Sequence, residues 1–348
     1  MMNRKSTIKL LASVLALAFV FSCVLLTGCS GAVSYSDYTY MINDVYLTLK
    51  LPSGGDKSHL DEIASGCASA ISDLVTDLVS STDRLNSEIN ALVGADAALL
   101  SAIETSQRIT ESTGGVFDYT AGALLELWEN GSSSVPSKSD ISYAQTHTGR
   151  DKFKVSGSTI QKLDKIAKMD FGGIIEGLAV QSALEYLSKT DVKYAVVSYG
   201  ATAGVYGDRP GNDNYVLALC DPLDTKKTLG NIKTSSGFVS VCGDYMGQFE
   251  FADQKYHETI DLSTGYPSDS GLHSVAVITS NGPVADALSS VLLIMGEEKA
   301  KAFYESSSFD FEAVMVTDDG RVILTPGIGG TCDFTLTSGS YKTDRMSK

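Results

Sequence analysis

The feature that most restricts the fold of this chain is its apolar spacing, which switches repeatedly between a period near 3.6 and a period of two. Leu60, Ile63, Ala64, Cys67, Ile71, Leu74, Val75 and Leu78 recur at helical intervals, so the spacing predicts an amphipathic helix over 57–80. A second helix is predicted from about Asp96 to Thr110, and others over 176–189 and 284–295. Strands are predicted at 38–51, 193–198, 215–219, 273–279 and 321–325, with Asp318-Asp319-Gly320 as the turn of a hairpin. The Ser-rich stretch from Gly131 to Ser142, containing Pro136, reads as a surface connection. No internal repeat is visible. Hairpins mixed with separated helices favour an α+β architecture over a strict βαβ wind.

The N-terminus is a targeting segment. Arg4, Lys5 and Lys9 precede an apolar run from Leu10 to Leu26 that only Ser13 and Ser22 interrupt. Its end, Leu26-Thr27-Gly28-Cys29, resembles the lipobox of bacterial lipoproteins, in which small residues precede a Cys whose thiol takes a diacylglyceryl group. The expected division is a signal over 1–28, a lipidated Cys29 with a Ser-rich tether over 29–37, one domain over 38–340 and a tail over 341–348. The expected location is the extracytoplasmic face of the cell membrane, held there by lipid.

Charge narrows the function classes. Against 27 Lys and Arg stand 42 Asp and Glu, giving a formal net charge of −15. Such a balance excludes a duplex nucleic-acid binder, which needs clustered cations for phosphates. Any anionic ligand is therefore held by a metal, by backbone N–H groups or by a local charge. With 43% hydrophobic and 20% charged residues, the chain is also not a disordered one. Of six Cys, Cys23 leaves with the signal, and Cys67, Cys220, Cys242 and Cys332 form no CxxC pair. They read as buried thiols rather than a zinc or redox site.

Four segments carry candidate chemistry. The first is Thr113-Gly114-Gly115-Val116-Phe117-Asp118-Tyr119-Thr120, followed by Leu124 to Trp128, where two glycines let backbone approach a ligand and Asp118 can accept from a ligand donor. In the second, Met169-Asp170-Phe171-Gly172-Gly173-Ile174-Ile175-Glu176-Gly177, a strand end meets a Gly pair and then a helix, whose free N–H groups suit a pyrophosphate. The third, Val284 to Ser290, puts Asp286 and Ser290 one helical turn apart on one face, which suits a hard cation such as Mg²⁺. The fourth, Tyr256 to Pro267, begins with His257-Glu258-Thr259-Ile260-Asp261 and resembles the start of a zinc-protease helix. Its β-branched residues and Gly265-Tyr266-Pro267 instead predict a strand and a turn, so a zinc hydrolase is rejected.

In this order, the four segments resemble the ApbE family, the FAD:protein FMN transferases, across nearly all of the chain after the signal. The resemblance implies a single α+β domain, related to the T-fold, with a mixed, mainly antiparallel sheet and flanking helices. It implies metal-dependent cleavage of FAD that attaches FMN to Ser or Thr of an extracytoplasmic acceptor protein and releases AMP. Carried over position by position, the Mg²⁺ ligands would be Asp286, Ser290 where Thr is usual, and the Gly173 carbonyl, with Ser289 near a second ligand position. The FAD-binding positions would be Met41, Val116, Phe117, Asp118, Asp170, Glu176 and Ile260.

The family's catalytic His is Glu258 here, which makes Glu258 the candidate base. If the segment is a strand, His257 points to the opposite face and does not replace that imidazole. A stacking aromatic of the family aligns with Asp83, and its Gly pair after the central strand becomes Gly200-Ala201. The residues leave three outcomes open: an active flavin transferase, a non-catalytic FAD-binding lipoprotein, and an FAD pyrophosphatase yielding AMP and FMN. Ser198-Tyr199-Gly200-Ala201-Thr202 partly resembles an acceptor sequence with one Tyr inserted, which raises self-flavinylation.

Overall fold

The structure is a computed structural model that describes residues 33–129 and 134–346, so the signal and the lipobox with Cys29 lie outside the described residues. Its centre is a nine-stranded sheet whose spatial order follows the chain: β1 (Tyr35–Ile42), β2 (Val45–Pro52), β3 (Tyr194–Tyr199), β4 (Thr202–Gly207), β5 (Gly237–Gly243), β6 (Leu272–Thr279), β7 (Phe311–Thr317), β8 (Arg321–Leu324) and β9 (Lys342–Arg345). Every neighbouring pair is antiparallel except β8 with β9. The α+β expectation with a mixed, mainly antiparallel sheet is therefore met.

Both faces of this sheet are covered, which explains why its inner strands read as apolar runs without clean alternation. Val275, Val277, Ala313 and Met315 face the helices α1 (Lys57–Ser87), α2 (Ala97–Ser112) and α6 (Gly282–Ser306). Their neighbours Ala276, Ile278, Val314 and Val316 face a three-stranded sheet of Tyr215–Asp221, Asp224–Thr234 and Cys332–Leu336. Helix α5 (Gly172–Leu187) packs with α1 over β2 and β3. Two short helices, α3 (Gly122–Glu129) and α4 (Lys138–Thr146), join the hairpins Phe249–Tyr256 and Ile260–Pro267 in a smaller apolar cluster around Trp128.

Several boundaries differ from the sequence expectation for local reasons. The strand expected at 38–51 is a hairpin, because Asn43 and Asp44 take left-handed backbone (φ 49° and 62°) and turn the chain. Its first strand starts at Tyr35, inside the stretch expected as tether, and Lys342–Arg345 adds β9 inside the expected tail. Within the connection expected at 131–142, Ser137 caps α4 through the Asp140 N–H, while 131–133 lie outside the described residues. Helix α1 runs seven residues past the expected end, burying Ser81 and Leu85 beyond the periodic stretch. By length and composition α1 could cross a bilayer, but its apolar stripe is core.

One contact positions the site. Gly177 of α5 and Gly282 of α6 touch through backbone: a Cβ on Gly177 would lie 2.2 Å from the Gly282 carbonyl oxygen, and one on Gly282 2.3 Å from that of Gly177. Only hydrogen fits at either position. We predict that Gly177→Ala destabilises the fold by about 1–3 kcal/mol through overpacking, measured as a lower urea midpoint. A midpoint equal to wild type would show that the helices move apart freely.

Candidate functional site

The glycine contact lets the first turns of α6 lie against the start of α5. Asp286, 9% exposed, thereby accepts the Gly177 N–H at 2.9 Å through Oδ2. In a regular helix that N–H would bond the carbonyl of Gly173, so Asp286 and the Gly173 carbonyl lie at the same turn of α5. Ser290 donates back to the Ala287 carbonyl at 2.9 Å, and Ser289 to that of Asp286 at 2.7 Å, so the oxygen lone pairs of both hydroxyls stay available. Gly173, Asp286, Ser289 and Ser290 line one cleft of about 670 Å³.

The same cleft gathers the other candidate residues. Val116, Phe117, Asp118, Asp170, Glu176, Glu258 and Ile260 all line it. Asp118 uses Oδ1 to bind the Thr120 N–H (2.8 Å) and hydroxyl (2.6 Å), and Asp170 uses Oδ1 for the Gly172 N–H at 2.8 Å. Each keeps a second carboxylate oxygen for a ligand. Gly172 and Gly173 bring the N-terminus of α5, the positive end of its dipole, to the cleft wall. Met41 does not join them: it is 54% exposed near the tip of the β1–β2 hairpin and outside the cleft lining. Asp83 is likewise exposed and outside it.

Electrostatically the cleft is one-sided. Five carboxylates line it, from Asp118, Asp170, Glu176, Glu258 and Asp286, and among the described residues no Lys or Arg does. Burial and the neighbouring Asp286 push the Glu176 carboxyl well above its ordinary range, against the Ala201 N–H that donates to its Oε2 at 2.8 Å. Burial raises Asp286 too, opposed by the N–H groups of Gly177 and Glu176. Asp170 rises by desolvation. Glu258 is open to solvent inside the cleft, and the walls that restrict this solvent raise its carboxyl as well. Clustered carboxylates held short of easy ionisation, without a cation of the protein, form a donor set suited to a divalent ion. Among the described residues, no cluster of three or more His, Cys, Asp or Glu forms a metal cage, so such an ion would share backbone, hydroxyl and ligand oxygens.

The neighbours His257 and Glu258 do face opposite ways. His257 lines a separate pocket and donates Nε2–H to the Ser268 carbonyl at 2.9 Å, while its Nδ1 accepts the Thr259 N–H at 3.3 Å. Both ring nitrogens are engaged, so it is neither a base in the cleft nor a zinc ligand. Thr202 of the acceptor-like stretch is fully buried and donates to Ser240 Oγ at 2.8 Å, which removes it as a modification site. Cys67, Cys220, Cys242 and Cys332 form no disulfide; Cys67 and Cys332 are buried, and Cys242 lines the cleft with its thiol pushed up to about 12 by burial. Sequence reasoning missed Met246, Gly247 and Phe249, which complete the wall beside Glu258. Phe249 opens the short strand Phe249–Phe251, which nothing in the sequence periodicity marks.

Gly200 is required beside Glu176. It sits at φ +59°, and a Cβ there would lie 1.9 Å from Glu176 Oε1. Gly54, at φ +100°, offers the contrast: a Cβ there would meet nothing within 4 Å, so it isolates the backbone cost alone. Gly200→Ala is expected to cost about 1–3 kcal/mol more than Gly54→Ala, read from paired urea midpoints. Equal losses would mean that Glu176 has another place to go.

The sequence model of the ApbE family matches residues 48–315. A Vibrio cholerae protein named FAD:protein FMN transferase is 26% identical over 226 residues, covering 64% of this chain and 68% of that one. Its namesake from Haemophilus influenzae is 24% identical over 331 residues, covering 90% and 95%. Among solved structures, the ApbE protein of Thermotoga maritima superposes with a TM-score of 0.75 at 25% identity, covering 83% of this chain and 96% of that one. The Pseudomonas stutzeri flavinyl transferase ApbE shares the fold with a TM-score of 0.70 at 23% identity, covering 88% and 95%. The ordered segments, the sheet and the one cleft that collects them agree with these matches, and the chain belongs to the ApbE family.

Proposed function

We propose that this protein is an Mg²⁺-dependent FAD:protein FMN transferase, which joins the FMN phosphate to a Ser or Thr hydroxyl of an extracytoplasmic acceptor protein and releases AMP. The observation that carries the reading is the meeting of Asp286, Ser290 and Gly173 beside the α5 N-terminus in a cleft that no Lys or Arg lines among the described residues. A pyrophosphate cannot rest among five carboxylates unless a cation accompanies it. The residues fit Mg²⁺: a buried carboxylate oxygen, a hydroxyl and a carbonyl are hard oxygen donors. Asp286, Ser290 and the Gly173 carbonyl would hold the ion, which when bound neutralises pyrophosphate charge and eases departure of AMP.

The chain's own groups supply the rest. The α5 N-terminus orients phosphate oxygens, and Asp118 and Asp170 accept from donors on the nucleotide halves. Glu258 takes the proton of the acceptor hydroxyl as its oxygen forms the new bond to the FMN phosphorus and the bond to the AMP oxygen breaks. Its raised carboxyl is closer to a useful base than an ordinary Glu would be. The alternative of FAD hydrolysis to FMN and AMP is the same displacement with water at the acceptor position. In the lipobox reading, Cys29 carries a diacylglyceryl anchor that holds the domain at the outer face of the membrane.

The decisive assay incubates the purified protein with FAD, Mg²⁺ and a Thr-bearing acceptor protein, and follows flavin on the acceptor and AMP by mass spectrometry. Glu258→Gln is expected to lower transfer by about 10²-fold or more. FAD binding should persist, read by quenching of Trp128, the single Trp of the chain, which lines the cleft. Transfer at the wild-type rate would remove Glu258 as base, and AMP with free FMN would favour the hydrolase. Cys29→Ser should move the protein from the membrane to the soluble fraction after cell lysis; unchanged membrane association would contradict the lipid anchor.

A further inference from the structure

Behind the wall that faces Glu258 lies a clamp that the reaction chemistry above does not use. The turn joining β5 to the short strand Phe249–Phe251 separates the cleft from a second pocket: Met246 and Gly247 line the cleft, whereas Asp244, Tyr245 and Gln248 line the pocket. His257 and Glu258 part in the same way, His257 to the pocket and Glu258 to the cleft. The turn meets that segment at Gly247, whose φ is +57°: a Cβ on Gly247 would lie 2.3 Å from Glu258 Oε2 and 2.6 Å from its Cδ. Desolvation raises the Glu258 carboxyl, and among the described residues no hydrogen bond fixes it. Its place in the cleft therefore depends on where the Gly247 backbone stands.

From the pocket side the turn is held by His273. In β6, His273 is the extra residue of a bulge against β7, where Leu272 pairs with Thr317 and Ser274 with the adjacent Val316. A bulge re-aims a side chain, and here the imidazole meets Asp244, with Nδ1 2.6 Å from Oδ2. A carboxylate only accepts, so Nδ1–H donates in either charge state of the ring. The Asp244 N–H donates back to the His273 carbonyl at 3.0 Å. Within the turn, the Gln248 side-chain amide donates to the Asp244 carbonyl at 2.7 Å and the Met246 N–H to that of Gly243 at 3.1 Å, so the turn is braced and follows Asp244. Both partners of the side-chain bond are half-buried, where water weakens it less.

We propose that His273 is a positioning residue for the transfer reaction: through Asp244 it fixes the turn whose Gly247 backbone seats the Glu258 carboxylate where it meets the acceptor hydroxyl. This rests on the reading of Glu258 as the base. His273 lines the second pocket and not the cleft, so it acts through Asp244 and Gly247 rather than on the reactants. Proton transfer is sensitive to small displacements of the base. Asp286, Ser290, Asp118 and Asp170 sit on other segments, so loss of the clamp lowers turnover and leaves FAD binding in place.

The test measures kcat and the KM for FAD on the full chain, with Mg²⁺ and a Thr-bearing acceptor protein in excess. His273→Leu and Asp244→Ala each remove one end of the clamp, and His273→Asn returns a donor near the place of Nδ1. Thermal melting shows whether each variant folds, and either of the first two carries the test if the other does not. Each removal should lower kcat by about tenfold, with the KM for FAD within about twofold of wild type, and His273→Asn should recover most of the rate. Added to Glu258→Gln, His273→Leu should cost less than about twofold more, because it acts through the group already lost. With Glu258→Gln itself slow, wild-type kcat in the clamp variants overturns the proposal. A loss confined to KM, no recovery in His273→Asn, or an equal loss in the Glu258→Gln background does so too. Glu258→Gln at the wild-type rate overturns the base reading and the proposal together.

Discussion

The site depends on a contact between two backbones. Gly177 and Gly282 allow α5 and α6 to approach until each carbonyl nearly touches the other's Cα. At that separation Asp286 reaches into the first turns of α5 and takes the Gly177 N–H. A side chain at either glycine would move the carboxylate away from the Gly-Gly turn that it serves. The large sheet below supplies the rigidity, since both its faces are packed and its strands follow one another in space. A cleft on such a floor can be assembled from distant stretches of sequence without relying on loop order.

The second governing feature is charge without counter-charge. Carboxylates that elsewhere would be paired with Lys or Arg are here desolvated and raised. Such an arrangement is unfavourable in the isolated protein and becomes favourable when a cation and its anionic ligand enter together. In the proposed reaction Glu258 is the base, and although it is open to solvent within the cleft, desolvation by the walls raises its carboxyl above its ordinary range. His257, one residue away, is spent on the Ser268 carbonyl and serves the structure.

Much of this was legible in the sequence, and the failures have physical causes. Helical periodicity located α1 because one stripe of it is buried along the whole predicted length. The Asp286 and Ser290 pair was legible because a helix fixes residues four apart on one face, and both line the cleft. Alternation of neighbouring side chains separated Glu258 from His257 correctly, although only Ile260–Asp261 is regular strand there. The hairpin at Asn43-Asp44 was missed because two turn residues sit inside an otherwise continuous β-favouring run. Met41 was placed by position in a motif, and the tip of that hairpin carries it out of the cleft. Phe249 had no periodic or motif context, and its place in the cleft wall, stacked on Tyr256 and beside Trp128, is set by tertiary packing.

The most direct measurement of the central claim is calorimetric titration of the protein with FAD, once with excess Mg²⁺ and once with a chelator. A cleft of uncompensated carboxylates should take up one FAD per chain with the metal present and lose that binding when the metal is removed. Equal FAD affinity under both conditions, or no uptake with Mg²⁺ in excess, would contradict the account.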